Sequence, residues 1–259
     1  MSAPFKVLQF NMQYGQIWDD AYPDHAPIRL AETIKEIRAQ AADIVMLQEV
    51  ERTQAGGQQA DPPPHYTTLK EAFPEYDSYF CYPKPDPREL PFGIGLAIFS
   101  RTPLRDQMCL NLPSPPVEFD FFGEKMTPTD RVLIGATTTI GGRDVRLFNT
   151  HLLAFFMLNT TSEEHHGQRD LVEAQLRQSA GMPTLLTGDF NVSKHETLID
   201  QFGAAGYRTV QSTEITWRRR PYVLDHIFYN AALRPTGWAV RPTPASDHHT
   251  LSAKFEFAG

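Results

Sequence analysis

The stretch 182–203, MPTLLTGDFNVSKHETLIDQFG, changes character twice. Its first part, 182–190, reads as a strand. Gly188 permits tight backbone geometry, and Asp189 and Asn191 fall where the strand closes. A helix is expected over 193–203. Ser193 would be its N-cap, and Leu198, Ile199 and Phe202 would form its apolar side. A strand that ends on a carboxylate and an amide, then feeds a helix, predicts an α/β protein with its polar chemistry at strand ends.

The pattern recurs outward in both directions. Further strand-like runs are expected at 5–11, 43–50, 76–82, 93–100, 131–140, 144–152, 222–230 and 250–257. In the last of these, Leu251, Ala253, Phe255 and Phe257 share one face, and Ser252, Lys254 and Glu256 share the other. That alternation marks a strand with one buried face. Helices are expected at 26–41, with Ile28, Ala31, Ile34 and Ile37 as a stripe, and at 163–180, capped by Ser162. The segments 55–64, 83–91 and 112–130 are rich in Pro and Gly and read as long surface loops of one domain, residues 1–259. The last loop contains FDFF (119–122). Those rings form either a small cluster beneath the loop or a wall facing substrate.

Composition narrows the function classes. The chain has 259 residues, 41% hydrophobic, with 24 Lys and Arg against 31 Asp and Glu, a net charge of −7. Its longest apolar runs are far shorter than the roughly 20 residues that cross a bilayer as a helix. A transmembrane or disordered protein is excluded, and a nucleic-acid coat protein is disfavoured by the acidic balance. An enzyme acting on nucleic acid is not excluded, because a bound metal supplies positive charge. Cys81 and Cys109 lie in no CxxC pair and are expected as free, buried thiols, with one disulfide as the alternative. The N-terminus, MSAPFKVLQFN, has no secretory pattern, so a cytoplasmic protein is the expectation, and a monomer is the default because no residue pattern speaks to oligomeric state.

Polar residues recur at or just beyond the strand ends. They are Asn11, Glu49, Asn149 with His151, Asp189 with Asn191, Asp225 with His226, and Asp247 with His248 and His249. Each has an ordinary reading alone, as a turn residue or an exposed side chain. Together they supply carboxylates, amides and imidazoles at one edge, which suits a hard cation and an acid/base pair. Oxygen ligands in that mixture favour Mg²⁺ or Mn²⁺, and sometimes Ca²⁺, over zinc.

The ordered set QFN, LQEV, SR, NTHL, GDFN, LDHIF and SDHHTL resembles the endonuclease/exonuclease/phosphatase superfamily, from about Gln9 to Phe255. The resemblance implies a four-layer α/β sandwich, two mostly antiparallel sheets face to face with helices outside. It implies Glu49 as principal metal ligand with Asn11 beside it, and Asp247 at the metal directly or through water. It implies that His248 contacts the phosphate or takes the proton from the attacking water, with Asp225 fixing its tautomer. Asp189 and Asn191 would position the water and a phosphoryl oxygen, and His151 would stabilise developing charge. The general base is either Asp189 or His248, and the site holds one metal ion or two.

The implied activity is divalent-metal-dependent phosphoester hydrolysis. A small or lipid-like phosphodiester is placed ahead of DNA or RNA, and a ligand-binding pseudo-enzyme is the non-enzymatic alternative. Arg131 reads as a salt-bridge or site residue, and Gln168 and Arg169 as architectural. His226 and His249 are expected outside the chemistry, and His165 with His166 is not expected to bind metal. LAFFMLN (153–159) reads as buried structure or an apolar lip, and WRRRP (217–221) as a solvated turn or a phosphate-holding patch.

Overall fold

The computed structural model describes residues 4–258. Two six-stranded sheets form the centre of the fold. The first runs Leu233–Arg241, Thr250–Phe257, Phe5–Asn11, Ile44–Gln48, Leu96–Ser100, Asp77–Cys81. The second runs Tyr207–Thr209, Asp225–Asn230, Thr184–Asp189, Arg143–His151, Arg131–Ile140, Arg105–Leu112. Every neighbouring pair is antiparallel except one near the middle of each sheet. Phe5–Asn11 runs parallel to Ile44–Gln48, and Arg143–His151 runs parallel to Thr184–Asp189.

Those two parallel pairs decide where the chemistry can sit. A parallel pair ends at one edge, so Asn11 lies opposite Gln48 and His151 opposite Asp189. The flanking antiparallel strands start at that same edge. Asp225, the first residue of its strand, therefore pairs with Asp189.

Period-2 alternation sorts the side chains into layers. Phe5, Val7, Ile44, Met46, Leu147, Leu185 and Ile227 meet between the sheets. Leu8, Phe10, Val45 and Leu47 face outward against Ile37 of helix α1 (Leu30–Gln40) and Leu69 of α2 (Pro64–Ala72). Phe148, Leu186 and Phe228 face outward against Val172 of α3 (Gly167–Gln178) and Leu198 of α4 (His195–Ala204). The expected four-layer sandwich is what the chain forms. Each large apolar side chain so buried contributes roughly 1.5–3 kcal/mol.

Helix α2 lies immediately after the Pro-rich loop, where no helix is expected from sequence. Pro64 occupies its first turn, where a missing N–H costs nothing. The other helices start later than expected. Ser162 does not cap α3; its Oγ accepts from Arg169 Nη1 at 3.1 Å. Nor does Ser193 cap α4, which begins at His195. The FDFF loop folds into a small hairpin, Phe119–Phe121 with Glu124–Met126. Phe121 packs on Phe92, while Phe122 at the tip is 95% exposed. Phe155–Leu158 forms a short 3₁₀ turn with Phe155 buried and Met157 exposed. Among the described residues no helix is long and apolar enough to cross a membrane.

Cys81 and Cys109 form a disulfide, which corrects the expectation of free thiols. Cys81 ends the edge strand of one sheet and Cys109 sits in the edge strand of the other. The bridge therefore ties the two sheets along one open side. It joins residues 28 positions apart. Replacing both cysteines by serine should cost about 2–4 kcal/mol of stability, mainly by freeing the unfolded chain. Denaturant melts of wild type and the double variant, each with and without reductant, measure this. Equal midpoints under oxidising conditions would show that the bridge adds nothing.

Candidate active site

The site is the polar end of the inter-sheet space. The inward rows that begin apolar end polar: Val7 leads to Gln9 and Asn11, and Leu147 to Asn149 and His151. Leu185 likewise leads to Thr187 and Asp189. The same alternation sends His226 to the outer face, against Phe190, Phe228 and His195. It is fully buried there, and burial lowers its pKa to about 4. It takes no part in the site, as expected.

Glu49 reaches the site by a different route. One step beyond the inward Gln48, simple alternation would turn it outward. Its backbone instead adopts a left-handed φ of 49°, costly for a side-chain-bearing residue, and this re-aims the carboxylate into the cleft. Gly93 makes the room. A Cβ there would lie 2.1 Å from Glu49 Oε2.

Across the cleft the expected residues converge. Asn11 Nδ2 donates to Glu49 Oε1 at 2.9 Å and to Asp189 Oδ2 at 3.0 Å. His151 Nε2 lies 3.9 Å from Glu49 Oε1 and 3.6 Å from Asp189 Oδ2. His248 Nδ1 bonds to Asp225 Oδ2 at 2.8 Å, and its Nε2 faces Asp189 Oδ2 at 3.5 Å. Asp225 is wholly buried and also accepts from Gln9 Nε2 at 2.9 Å.

Three expected residues are held in ways the sequence did not show. Asp247 Oδ2 accepts from Arg219 Nε at 2.7 Å and Trp217 Nε1 at 3.1 Å. Asn191, at φ 51°, donates its side-chain amide to Leu152 O, and its backbone N–H to Asp189 Oδ1. Asn11 turns its amide nitrogen to the carboxylates, and its Oδ1 accepts from Gln13 N–H.

Other side chains brace the site, some of them not singled out in the sequence. Gln9 and Gln48 exchange two side-chain bonds of 2.6 and 2.7 Å, and Gln48 donates to Asn149 Oδ1 at 2.6 Å. Ser246 Oγ accepts from His248 N–H and donates to Asn11 O, locking the SDHH turn to the first strand. Arg219 also pairs with Asp24, and Arg218 donates to Thr243 O, so this part of the Arg triplet is already engaged. Arg131 pairs with Glu89. Gln168 binds Leu153 N–H and Leu112 O, fixing the turn after His151, the architectural role expected of it.

Electrostatics follow from burial and crowding. Burial, then the charge of Asp247, pushes Glu49 up to about 7. Burial is also the main cause raising Asp189 to about 8. Burial alone would depress His248, but Asp225 and Asp189 outweigh it and carry the ring to about 10. His151 is driven well down by burial, then by the Arg131 charge, so it is neutral near pH 7. Burial and mutual repulsion outweigh the positive charge of His248 at these carboxylates, and a divalent cation would add the positive charge that favours their ionised form. Glu49, His151 and Asp189 offer ligand atoms within 4.8 Å of one another, so the donor set fits an ion.

Two outcomes follow from this geometry. Gly93→Ala should displace the Glu49 carboxylate and cost about 10–100-fold in metal affinity without unfolding the chain. Calorimetric titration of the ion checks this, and unchanged affinity would show that Glu49 is not held as described. Because an incoming ion must displace the Glu49 proton, apparent affinity should fall as pH drops below about 7. In the metal-free protein the sign reverses. A carboxyl raised from 4.5 to about 7 loses folding stability as pH rises through that window. Melts at several pH values, with and without ion, read both trends.

No curated protein matches this chain in sequence. Solved structures do match in fold. The endonuclease/exonuclease/phosphatase from Bacteroides vulgatus is 18% identical, with a TM-score of 0.73 over 99% of this chain and 100% of that one. The human Nocturnin catalytic domain is 22% identical, with a TM-score of 0.69 over 98% and 94%. A mannosyl-6-phosphatase from Bacteroides thetaiotaomicron is 17% identical, with a TM-score of 0.67 over 98% and 100%. In sequence, the profile of the Endonuclease/Exonuclease/phosphatase family matches residues 8–248, nearly the whole chain including every residue of the cleft. The chain belongs to the endonuclease/exonuclease/phosphatase family.

Proposed function

We propose that this chain is a phosphoester hydrolase dependent on Mg²⁺ or Mn²⁺, of phosphodiesterase type, acting on a small or lipid-like substrate. The line Asp225–His248–Asp189, set beside the Glu49–His151–Asp189 cluster, carries this reading. It joins an oriented imidazole to a cation-ready carboxylate group within one cleft.

Glu49 and Asp189 are the ligands best supported by geometry, with Asn11 beside them. Asp247, held at its Oδ2 by Arg219 and Trp217, would add negative charge beside the ion and would help to hold it. The ion, when bound, neutralises phosphoryl charge and stabilises the leaving oxygen. Asp225 holds the Nδ1 proton of His248 and leaves Nε2 to face the reacting groups. His248 keeps both ring protons in the metal-free protein, so it would serve as base only once a bound ion has drawn off the charge of Asp189; otherwise Asp189 would orient the attacking water and receive its proton. His151, neutral, donates to a phosphoryl oxygen. Asn191 shapes the Asp189 turn through its bonds to Asp189 and Leu152.

Engagement of Arg218 and Arg219 within the fold weakens the case for a nucleic-acid backbone as substrate. All proposed site residues come from one chain, so a monomer is complete. The Cys81–Cys109 bridge supports an oxidising compartment over the cytoplasm.

Bis-p-nitrophenyl phosphate should be hydrolysed with Mg²⁺ or Mn²⁺ and not in excess EDTA. His248→Ala should lower turnover by about 10³-fold, since base and electrostatic contributions go together, and should also lower the melting temperature by leaving Asp225 without its partner, so turnover is read well below that temperature. Near-normal turnover in that variant would refute the assignment. Nicking of a supercoiled plasmid by wild type but not by His248→Ala would move the substrate class to nucleic acid.

A further inference from the structure

Of the arginine triplet 218–220, the middle residue stands closest to the chemistry. Segment 216–219 lies antiparallel beside the turn that carries Asp247 and His248. Arg218 N–H donates to Asp247 O at 3.0 Å, and His249 N–H donates to Thr216 O at 2.7 Å. Trp217 faces His248 in this short ladder. Residues two apart on an extended segment share a side. Trp217 and Arg219 accordingly both reach Asp247 Oδ2, through Nε1 at 3.1 Å and Nε at 2.7 Å.

Arg219 is itself clamped. Its Nη1 donates to Asp24 Oδ1 at 2.6 Å, on the short turn Pro23–His25. Its guanidinium carbon lies 5.6 Å from the centroid of the Trp18 ring. Trp18 N–H donates to Pro244 O at 2.8 Å, which fastens this loop to the segment leading into Asp247. A guanidinium is a rigid planar fork, so bonds at Nε and Nη1 fix its direction. Two carboxylates already share its charge, which argues against a role as a phosphate clamp.

Asp247 needs such a hold. It is 6% exposed, and its N–H donates to Gln13 Oε1. The next residue, Tyr14, donates its N–H to Glu49 O, so Asp247 is anchored close to Glu49. Two carboxylates held near each other repel, and a free side chain relieves that by rotating away. Among the described residues Arg219 is the only ion-pair partner of Asp247. The charge of Arg219 opposes a cation, but its geometry keeps Asp247 from turning aside.

We propose that Arg219 is a positioning residue of the ion site. Clamped by Asp24 and Trp18, it holds the Asp247 carboxylate beside Glu49 and keeps both negative charges in one place for a divalent cation. The inference rests on the ion-dependent reading of the centre.

The test is calorimetric titration of Mn²⁺ into the metal-free protein, well below the melting temperature of each variant. Salt of about 0.15 M screens the charge of Asp24 itself from the site. Arg219→Met keeps the length of the stem, removes every donor, and should weaken Mn²⁺ binding about tenfold. Arg219→Lys keeps the charge without the fork and should fall nearly as far. Asp24→Ala lies on an exposed turn and leaves the Asp247 bond in place. It should weaken binding about threefold alone, and add nothing to Arg219→Met, because it acts only through Arg219. Unchanged or tighter binding in Arg219→Met, full affinity in Arg219→Lys, or no effect of Asp24→Ala overturns the proposal. A wild type that binds no Mn²⁺ overturns it together with the ion-dependent reading. Arg219-dependent Mn²⁺ binding without hydrolysis of bis-p-nitrophenyl phosphate would uphold the positioning role and sink the hydrolase reading instead.

Discussion

The bond from His248 Nδ1 to Asp225 Oδ2 is the contact on which the site depends. It joins the turn preceding the last strand of one sheet to the first residue of a strand in the other. Asp225 is completely buried, and a lone carboxylate there would be prohibitively expensive. Its charge is matched by the imidazole and shared with Gln9, which is itself braced by Gln48. Asp225, Gln9 and Gln48 belong to strands whose inward side chains further along are packed core. The sandwich thus fixes the imidazole, and the imidazole in turn compensates the charge that the sandwich buries.

Around this pair the backbone carries local strain. Glu49, Asn191, Gln13 and Tyr14 all take positive φ. All four lie at the cleft edge or in the turns that support it. Such conformations cost on the order of 1–3 kcal/mol each and persist only where the surroundings over-determine them. Here the surroundings do so. Tyr14 N–H is held by Glu49 O, Asn191 N–H by Asp189, and Glu49 lies in space that only a glycine at position 93 leaves open. The stable sheets therefore support a rim of strained residues that aim the reactive groups.

Much of this was legible in the sequence because strand periodicity and strand ends are local signals. Alternation marked the buried faces, and Asn11, His151, Asp189 and Asp225 stood out as polar residues closing or opening apolar runs. The ordered motifs added the pairing of Asp225 with His248, which no spacing alone implies. Four things were not legible. Gln9 and Gln48 look like ordinary strand residues until the sheets face each other. The Cys81–Cys109 bridge depends on two edge strands meeting, a tertiary fact with no signature in the spacing of two cysteines. Helix α2 was hidden by the prolines before it, because Pro63 and Pro64 mark both a loop and a helix start. The role of Arg219 was obscured likewise, since an Arg triplet looks solvated until Asp24 and Asp247 are seen on either side.

Nuclear magnetic resonance of the His248 ring nitrogens in the metal-free protein tests the buried pair most directly. Long-range nitrogen–proton correlation across a pH titration reports the charge and tautomer of this one ring. The structure predicts a ring that keeps both protons well above pH 7, with a midpoint near the value of about 10 set by Asp225 and Asp189. Asp225→Asn should move that midpoint sharply downward. A His248 ring titrating like a free imidazole in the wild type, and unmoved by Asp225→Asn, would contradict the account.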